Sequence, residues 1–261
     1  MKKYIFLCVT YLLVSLTANA QIFNQDFESS TMLTDYVSNT PTAIQLSEVH
    51  TEPGVVASIT NNALRIEKTD FLRTYFYRTP NPALTEAPTL LQFKFDFEVT
   101  NNSQDHPDNR REIPFYFGPT FAASGTSIST FHTRFGLGIS ATPGNFFLKI
   151  LDNGSTKSTE FSGKQTITLI INNSGKDLNY TAPNESTETI GNDKWEIWVG
   201  NTKVFNEVSA KNKDLNLGSF KFQYNSFLPK AILDFDNIEM TALEEKEIEA
   251  GEKNLEHPRI W

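Results

Sequence analysis

The chain has 261 residues, 21 of them phenylalanine, and a formal net charge of −8 at pH 7. This acidic balance argues against a nucleic-acid partner, because phosphate binding requires clustered cations. It does not exclude a polyanionic ligand, which would need a local basic patch.

The first 20 residues have the pattern of a secretion signal. Lys2 and Lys3 precede an apolar run over residues 4–16, and small residues at 18–20 suit a cleavage site. A membrane-spanning helix needs about 20 apolar residues, so we expect no membrane insertion of the mature chain. The sequence therefore predicts a signal peptide at 1–20 and a secreted protein.

The mature chain is expected to begin near Gln21 and to carry no disulfide, because the only cysteine, Cys8, lies in the signal. Loss of Lys2 and Lys3 changes the net charge to −10, since 21 Lys and Arg then face 31 Asp and Glu. About 240 residues suit one large domain and a tail.

Short strands with period-two alternation follow one another along the mature chain. Residues 31–54 are polar and are expected to be irregular. In residues 90–99, Phe93, Phe95 and Phe97 share one face, and Lys94 lies on the other. The predicted strands, in chain order, are residues 21–30, 63–68, 71–78, 90–99, 113–117, 131–139, 145–151, 165–171, 178–181, 194–199, 203–205, 219–224 and 231–240.

The segment 194–205 is predicted to form a β-hairpin with its turn at Gly200 and Asn201. Its alternation places Trp195 on one face and both Glu196 and Trp198 on the other. Trp195 is expected in the core. Trp198 is expected either to face water or to pack beneath a loop or against the second sheet.

No stretch of residues 21–242 keeps a helical period. We therefore predict an all-β fold, a two-sheet antiparallel jelly-roll β-sandwich over residues 21–242. Residues 243–261 are acidic and helix-prone, and they are predicted to form a linker or tail.

Several motifs resemble the concanavalin-like and laminin-G-like jelly-roll modules of secreted Bacteroidota proteins. The features that carry this resemblance are Asp26-Phe27-Glu28, the run 163–168 leading into 172–175, the run 195–200, and Asp234-Phe235-Asp236-Asn237-Ile238. The resemblance implies a module found beside polysaccharide-degrading enzymes and usually non-catalytic. The ending 257–261 is similar to the start of the helical-toroid domain of heparinase- and alginate-lyase-like proteins, which implies a downstream catalytic domain.

In many jelly-roll modules the terminal strands lie side by side and share a structural calcium ion. The resemblance therefore implies a Ca²⁺ site at Asp26, Glu28, Asp234 and Asp236. Calcium takes six to eight oxygen ligands, and paired carboxylates on neighbouring strands can converge. The alternative is that all four carboxylates simply face solvent.

Trp198 is the best candidate for stacking on a sugar ring, with Glu196 as a hydrogen-bond acceptor and Tyr116 as a weaker carbohydrate-binding candidate. A polysaccharide or oligosaccharide is the expected partner of such a site. The alternative for Trp198 is a packing role.

His132 and Arg134 are predicted to share a face with Gly136 and Gly138, near Tyr116. A polysaccharide lyase needs a cation against the uronate carboxylate and a His or Tyr to remove the α-proton. Glycines would let a polymer approach the sheet closely. The alternative is an ordinary solvated sheet face.

These patterns predict a non-catalytic carbohydrate-binding or accessory module, with a lyase that acts on an anionic polysaccharide as the enzyme alternative. A third hypothesis is a spacer that docks a neighbouring domain through Tyr116 and Trp198. The sequence contains no clustered zinc ligands, nucleophile elbow or phosphate-cradling loop.

Overall fold

A computed structural model describes residues 19–70, 72–80, 86–102, 112–123, 125–152, 156–226, 228 and 230–245. The described strands, in chain order, are β1 (Ala20–Gln25), β2 (Glu48–Thr51), β3 (Val55–Thr60), β4 (Ala63–Lys68), β5 (Thr74–Arg78), β6 (Leu90–Asn102), β7 (Glu112–Gly118), β8 (Thr133–Ile139), β9 (Asn145–Ile150), β10 (Phe161–Ser162), β11 (Gln165–Asn172), β12 (Leu178–Thr181), β13 (Thr187–Ile190), β14 (Lys194–Val199), β15 (Thr202–Ser209), β16 (Ser219–Tyr224) and β17 (Ala231–Ala242). A short 3₁₀ helix, Leu33–Tyr36, follows β1.

The strands form two large antiparallel sheets and one small one. The eight-stranded sheet has the order β15-β14-β11-β6-β17-β4-β3, and β1 pairs with the second half of β17. The seven-stranded sheet has the order β10-β9-β8-β7-β16-β5-β2, and β12 pairs with β13. The predicted all-β, two-sheet jelly-roll sandwich is confirmed.

Phenylalanines from both large sheets fill the space between them. Phe93 of β6 packs against Phe220 of β16 with ring centroids 4.7 Å apart, and Phe95 lies 5.0 Å from Phe115 of β7. All four rings are buried. The predicted inward row of residues 93, 95 and 97 is therefore confirmed.

The structure differs from the sequence prediction in several places. Residues 31–54, expected to be irregular, contain the 3₁₀ helix and the edge strand β2. The strands β3, β10 and β13 also have no counterpart in the predicted set, because each is short and mixes polar with apolar residues.

The predicted signal peptide at 1–20 and tail at 243–261 lie mostly outside the described residues. Strand β1 begins at Ala20 and β17 ends at Ala242. Within the described part of the chain, no helix has the length and apolar character needed to cross a membrane.

The first prediction concerns Phe115, whose ring packs against rings from both sheets. Phe115→Ala should lower the free energy of unfolding by about 3–5 kcal/mol, because it leaves a cavity in a closely packed core. Denaturant unfolding measures this change. The control is Val56→Ala, since Val56 is 55% exposed and should change stability by less than about 0.5 kcal/mol. Equal losses in both variants would contradict the packing argument.

Candidate functional site

The outer face of the seven-stranded sheet carries a row of aromatic and charged side chains on β2, β5 and β16. Phe76 of β5 and Phe222 of β16 point into the core, so their neighbours in sequence point outward. The register places Tyr77 between Glu48 of β2 and Lys221 of β16. Tyr75 pairs with His50 of β2 in the same way.

His50, Tyr75 and Tyr77 form a continuous strip of rings, here called the aromatic platform. The His50 ring stacks on Tyr75 with centroids 4.7 Å apart and planes 9° apart, and Tyr77 lies 6.2 Å from Tyr75. Tyr75 is buried, whereas Tyr77 is half-buried and the His50 side chain is 36% exposed. The platform therefore presents two accessible rings on a rigid support.

Glu48 fixes both tyrosine hydroxyls of the platform. Tyr75 donates to one carboxylate oxygen at 3.0 Å, and Tyr77 donates to the other at 2.9 Å. Burial and these bonds to a carboxylate raise the pKa of Tyr75 and of Tyr77 to about 12. Both hydroxyls therefore stay protonated, and both rings are held in place.

Two cations border the aromatic platform. The Lys221 ammonium lies 4.7 Å from the Tyr75 ring centroid and donates to the Ala122 carbonyl at 2.8 Å. Burial, together with repulsion from Arg73, lowers the pKa of Lys221 to about 8. The Arg73 guanidinium lies 5.5 Å from the same ring centroid, and its side chain is 36% exposed.

The structure separates the three residues of the predicted lyase site. Tyr116 and Arg134 are cross-strand neighbours on the outer face. The chain bends at His132, just before β8, so Phe131 packs against Tyr116 on that face rather than in the main core. His132 is fully buried near Asn173 and Asp193, and burial lowers its pKa to about 4.

Contrary to the prediction, neither Tyr116 nor Arg134 is available to a ligand. Tyr116 is only 5% exposed, and burial raises its pKa. Arg134 donates to Asp152 at 2.7 Å, in an ion pair whose carboxylate is buried. Of the predicted lyase residues, Tyr116 is thus a buried phenol, and Arg134 is a cation already paired with Asp152.

The two glycines of β8 make room for side chains rather than for a polymer. A Cβ atom at Gly138 would lie 2.2 Å from the Phe147 ring, and one at Gly136 would lie 3.0 Å from side-chain atoms of Glu112. Glu112 pairs with Lys149 above this part of the sheet. The expectation of an open glycine face here is wrong, because these side chains cover it.

The hairpin β12–β13 covers the predicted sugar-stacking site. Trp198 is 2% exposed and packs in a small cluster with Leu178 and Ile190 of that hairpin. Glu196 is fully buried. The expectation that Trp198 faces water is wrong, and the alternative, in which it packs beneath a covering segment, is confirmed.

Glu196 and Trp198 instead belong to a buried polar network. Tyr180 of β12 donates to Glu196 at 2.5 Å and accepts from the Trp198 indole at 3.0 Å. Lys203 of β15 lies 3.0 Å from Glu196 and also pairs with Glu188 of β13. The network ties the hairpin to the eight-stranded sheet.

Two of the four carboxylates predicted to bind calcium are paired with side-chain cations. Asp234 forms two 2.8 Å hydrogen bonds with Arg65, and Asp236 accepts from Lys164 at 2.7 Å. Asp26 and Glu28 lie beyond the end of β1 and are exposed. Among the described residues, no group of three or more His, Cys, Asp or Glu side chains is arranged to hold a metal ion, and calcium binding by these four carboxylates stays a prediction.

The residues of the aromatic platform were not singled out in the sequence. A signal was present in strand 71–78, where Tyr75 and Tyr77 share one face and Phe76 lies on the other. His50 and Glu48 lie in a segment expected to be irregular, and their position beside β5 depends on sheet pairing.

Comparison with known proteins yields no matching family model and no matching curated protein. A solved carbohydrate esterase of the Shiga toxin-encoding bacteriophage phi24B is similar, with 12% identity, a TM-score of 0.51, and coverage of 87% of this chain and 100% of that one. An alginate lyase, Aly36B, in complex with alginate tetrasaccharide gives 10% identity, a TM-score of 0.48, and coverage of 88% and 100%. At such identities the likeness shows the fold alone, a jelly-roll sandwich.

A substitution at Gly138 tests whether the Phe147 ring covers the outer face of β8. Gly138→Ala should lower the free energy of unfolding by about 1–3 kcal/mol, because the added methyl group displaces the Phe147 ring. Gly125→Ala is the matched control, since a Cβ there meets nothing within 4 Å. Thermal or denaturant unfolding distinguishes them, and a Gly138→Ala variant as stable as wild type would contradict this arrangement.

Tyr180→Phe should lower stability by about 1–3 kcal/mol at pH 7, because it removes a donor to buried Glu196. Burial raises the pKa of Glu196, and Tyr180 and Lys203 oppose that rise. A raised carboxyl pKa favours folding in acid, and this contribution is lost as pH rises through the folded-state pKa. The Tyr180→Phe loss should therefore shrink at about pH 4.5, where more of the Glu196 population is protonated than at pH 7. Unfolding at both pH values tests this, and a larger loss in acid would contradict it.

Proposed function

We propose that this protein is an exported, non-catalytic carbohydrate-binding module that holds a polysaccharide or oligosaccharide on the aromatic platform. The observation that carries the proposal is the accessible strip formed by the His50 and Tyr77 rings, supported by Tyr75. Sugar rings present apolar C–H faces to aromatic rings, and the polar groups around a ring supply orientation.

The rigidity of the platform supports binding. Both tyrosine hydroxyls are fixed on Glu48, and His50 stacks nearly parallel on Tyr75. A preorganised surface loses less conformational entropy on association than a mobile one. The side chains of Glu48 and Arg73 are 32% and 36% exposed, so both place polar groups beside the rings that can contact sugar hydroxyls.

The fold supports a carbohydrate ligand only by analogy. A carbohydrate esterase has the same sandwich architecture. One fold supports many functions, so the residues of the platform, and not the fold, support carbohydrate binding here. We propose further that the module works within a polysaccharide-degrading system.

The lyase alternative is less well supported. A base in β-elimination must reach the α-proton, yet Tyr116 is buried with a raised pKa and His132 lies elsewhere in the fold. The docking alternative named Tyr116 and Trp198, and both side chains are too deeply buried to contact another domain. Both alternatives would therefore need other residues.

Binding is tested by affinity electrophoresis and calorimetry with a panel of neutral and anionic polysaccharides. His50→Ala and Tyr77→Ala should each weaken binding of the retained polymer by about 2- to 13-fold, because one ring contact contributes about 0.5–1.5 kcal/mol. The control is Val56→Ala on the opposite sheet, which should bind as the wild type does.

Circular dichroism and melting temperature establish that each variant is folded. Wild-type-like binding by both platform variants, or no binding of any polymer, would overturn the proposal. Release of an unsaturated product that absorbs in the ultraviolet would instead identify a lyase.

A further inference from the structure

Arg73 is the charged group beside the aromatic platform whose side chain is left without a hydrogen-bond acceptor. Its guanidinium donates no hydrogen bond to any residue that the structure describes. Its nearest acid is Glu52, at 3.8 Å from Nε, which is an ion pair beyond hydrogen-bond distance. With a side chain 36% exposed, the guanidinium still presents donors to solvent.

Neither of the two described acids near Arg73 accepts a hydrogen bond from its guanidinium. One Glu52 oxygen accepts the backbone N–H of Arg73 at 2.9 Å, and the other lies 3.8 Å from Nε. Both oxygens of Glu48 accept tyrosine hydroxyls. The guanidinium therefore keeps its donors for a ligand.

Arg73 is also held in a defined place. Arg73 directly precedes β5, and its backbone N–H donates a hydrogen bond to Glu52. Its guanidinium lies 5.5 Å from the Tyr75 ring centroid. Lys221 lies near enough for Arg73 to contribute to lowering its pKa. Two cations near the same Tyr75 ring favour an anion there.

We infer that the ligand of the aromatic platform is an anionic sugar, whose carboxylate or sulfate group is bound by Arg73 while its ring stacks on the exposed rings. This inference rests on the proposed function and names the ligand class of the same site. A planar guanidinium binds such oxyanions through two parallel hydrogen bonds. It also meets the need for a local cation on a protein whose formal net charge is −8.

Three polymers serve as probes: a polyuronate, a sulfated galactan without uronate, and a neutral glucan. Arg73→Gln should weaken binding of the preferred anionic polymer by about 10- to 100-fold and leave any neutral-glucan binding unchanged, since a charge-assisted hydrogen bond contributes about 1.5–3 kcal/mol. Arg73→Lys should recover only part of this loss, because an ammonium cannot bind bidentately. The polymer that shows the Arg73 effect identifies carboxylate or sulfate as the source of the anion.

The matched control is Lys94→Gln, which removes one positive charge from the outer face of the eight-stranded sheet. It should leave binding of every polymer unchanged. Full affinity of Arg73→Gln for the anionic polymers, or equal wild-type affinity for neutral and anionic ones, would overturn the inference while leaving the platform as a binding site. Failure of wild type to bind any polymer would overturn the proposed function and this inference together.

Discussion

The packing of phenylalanine rings between the two large sheets is the constraint on which the rest of the structure depends. Phe76, Phe93, Phe115, Phe222 and Phe235 all lie in one buried cluster that both sheets supply. Because side chains alternate along a strand, each inward ring determines which neighbours face outward. The inward position of Phe76 is thus the direct reason why Tyr75 and Tyr77 meet on the opposite face, where they form the platform.

The two outer faces of the sandwich have different roles. On the eight-stranded sheet, the hairpin β12–β13 covers β14 and buries Trp198 in a second apolar cluster. Covering this face also buries Glu196, whose charge is compensated by Tyr180 and Lys203. On the seven-stranded sheet, the β2–β5 edge keeps the accessible rings of His50 and Tyr77.

Charge pairing accounts for the acidic residues on the outer face of the eight-stranded sheet. Asp236 and Asp96 are cross-strand neighbours, and Lys164 lies close to both. Asp234 is engaged bidentately by Arg65. Side-chain cations supply here the positive charge that adjacent carboxylates require. At the platform, by contrast, Glu48 is satisfied by neutral hydroxyl donors, and the nearby guanidinium is left with donors of its own.

The sequence by itself determined the all-β class, the inward rows such as Phe93 to Phe97, and the hairpin turn at Gly200, because period-two burial and turn chemistry are local properties. Only the tertiary structure decided which outward residues reach solvent. Trp198 has the alternation of an exposed residue, yet a hairpin that precedes it in the chain covers it. A bend of the chain at His132 separates that histidine from Arg134. The absence of a side chain at Gly138 makes room for the Phe147 ring. The platform joins residues of β2 and β5 and is bordered by Lys221 of β16, and the pairing of these three strands follows from how both sheets close over one core.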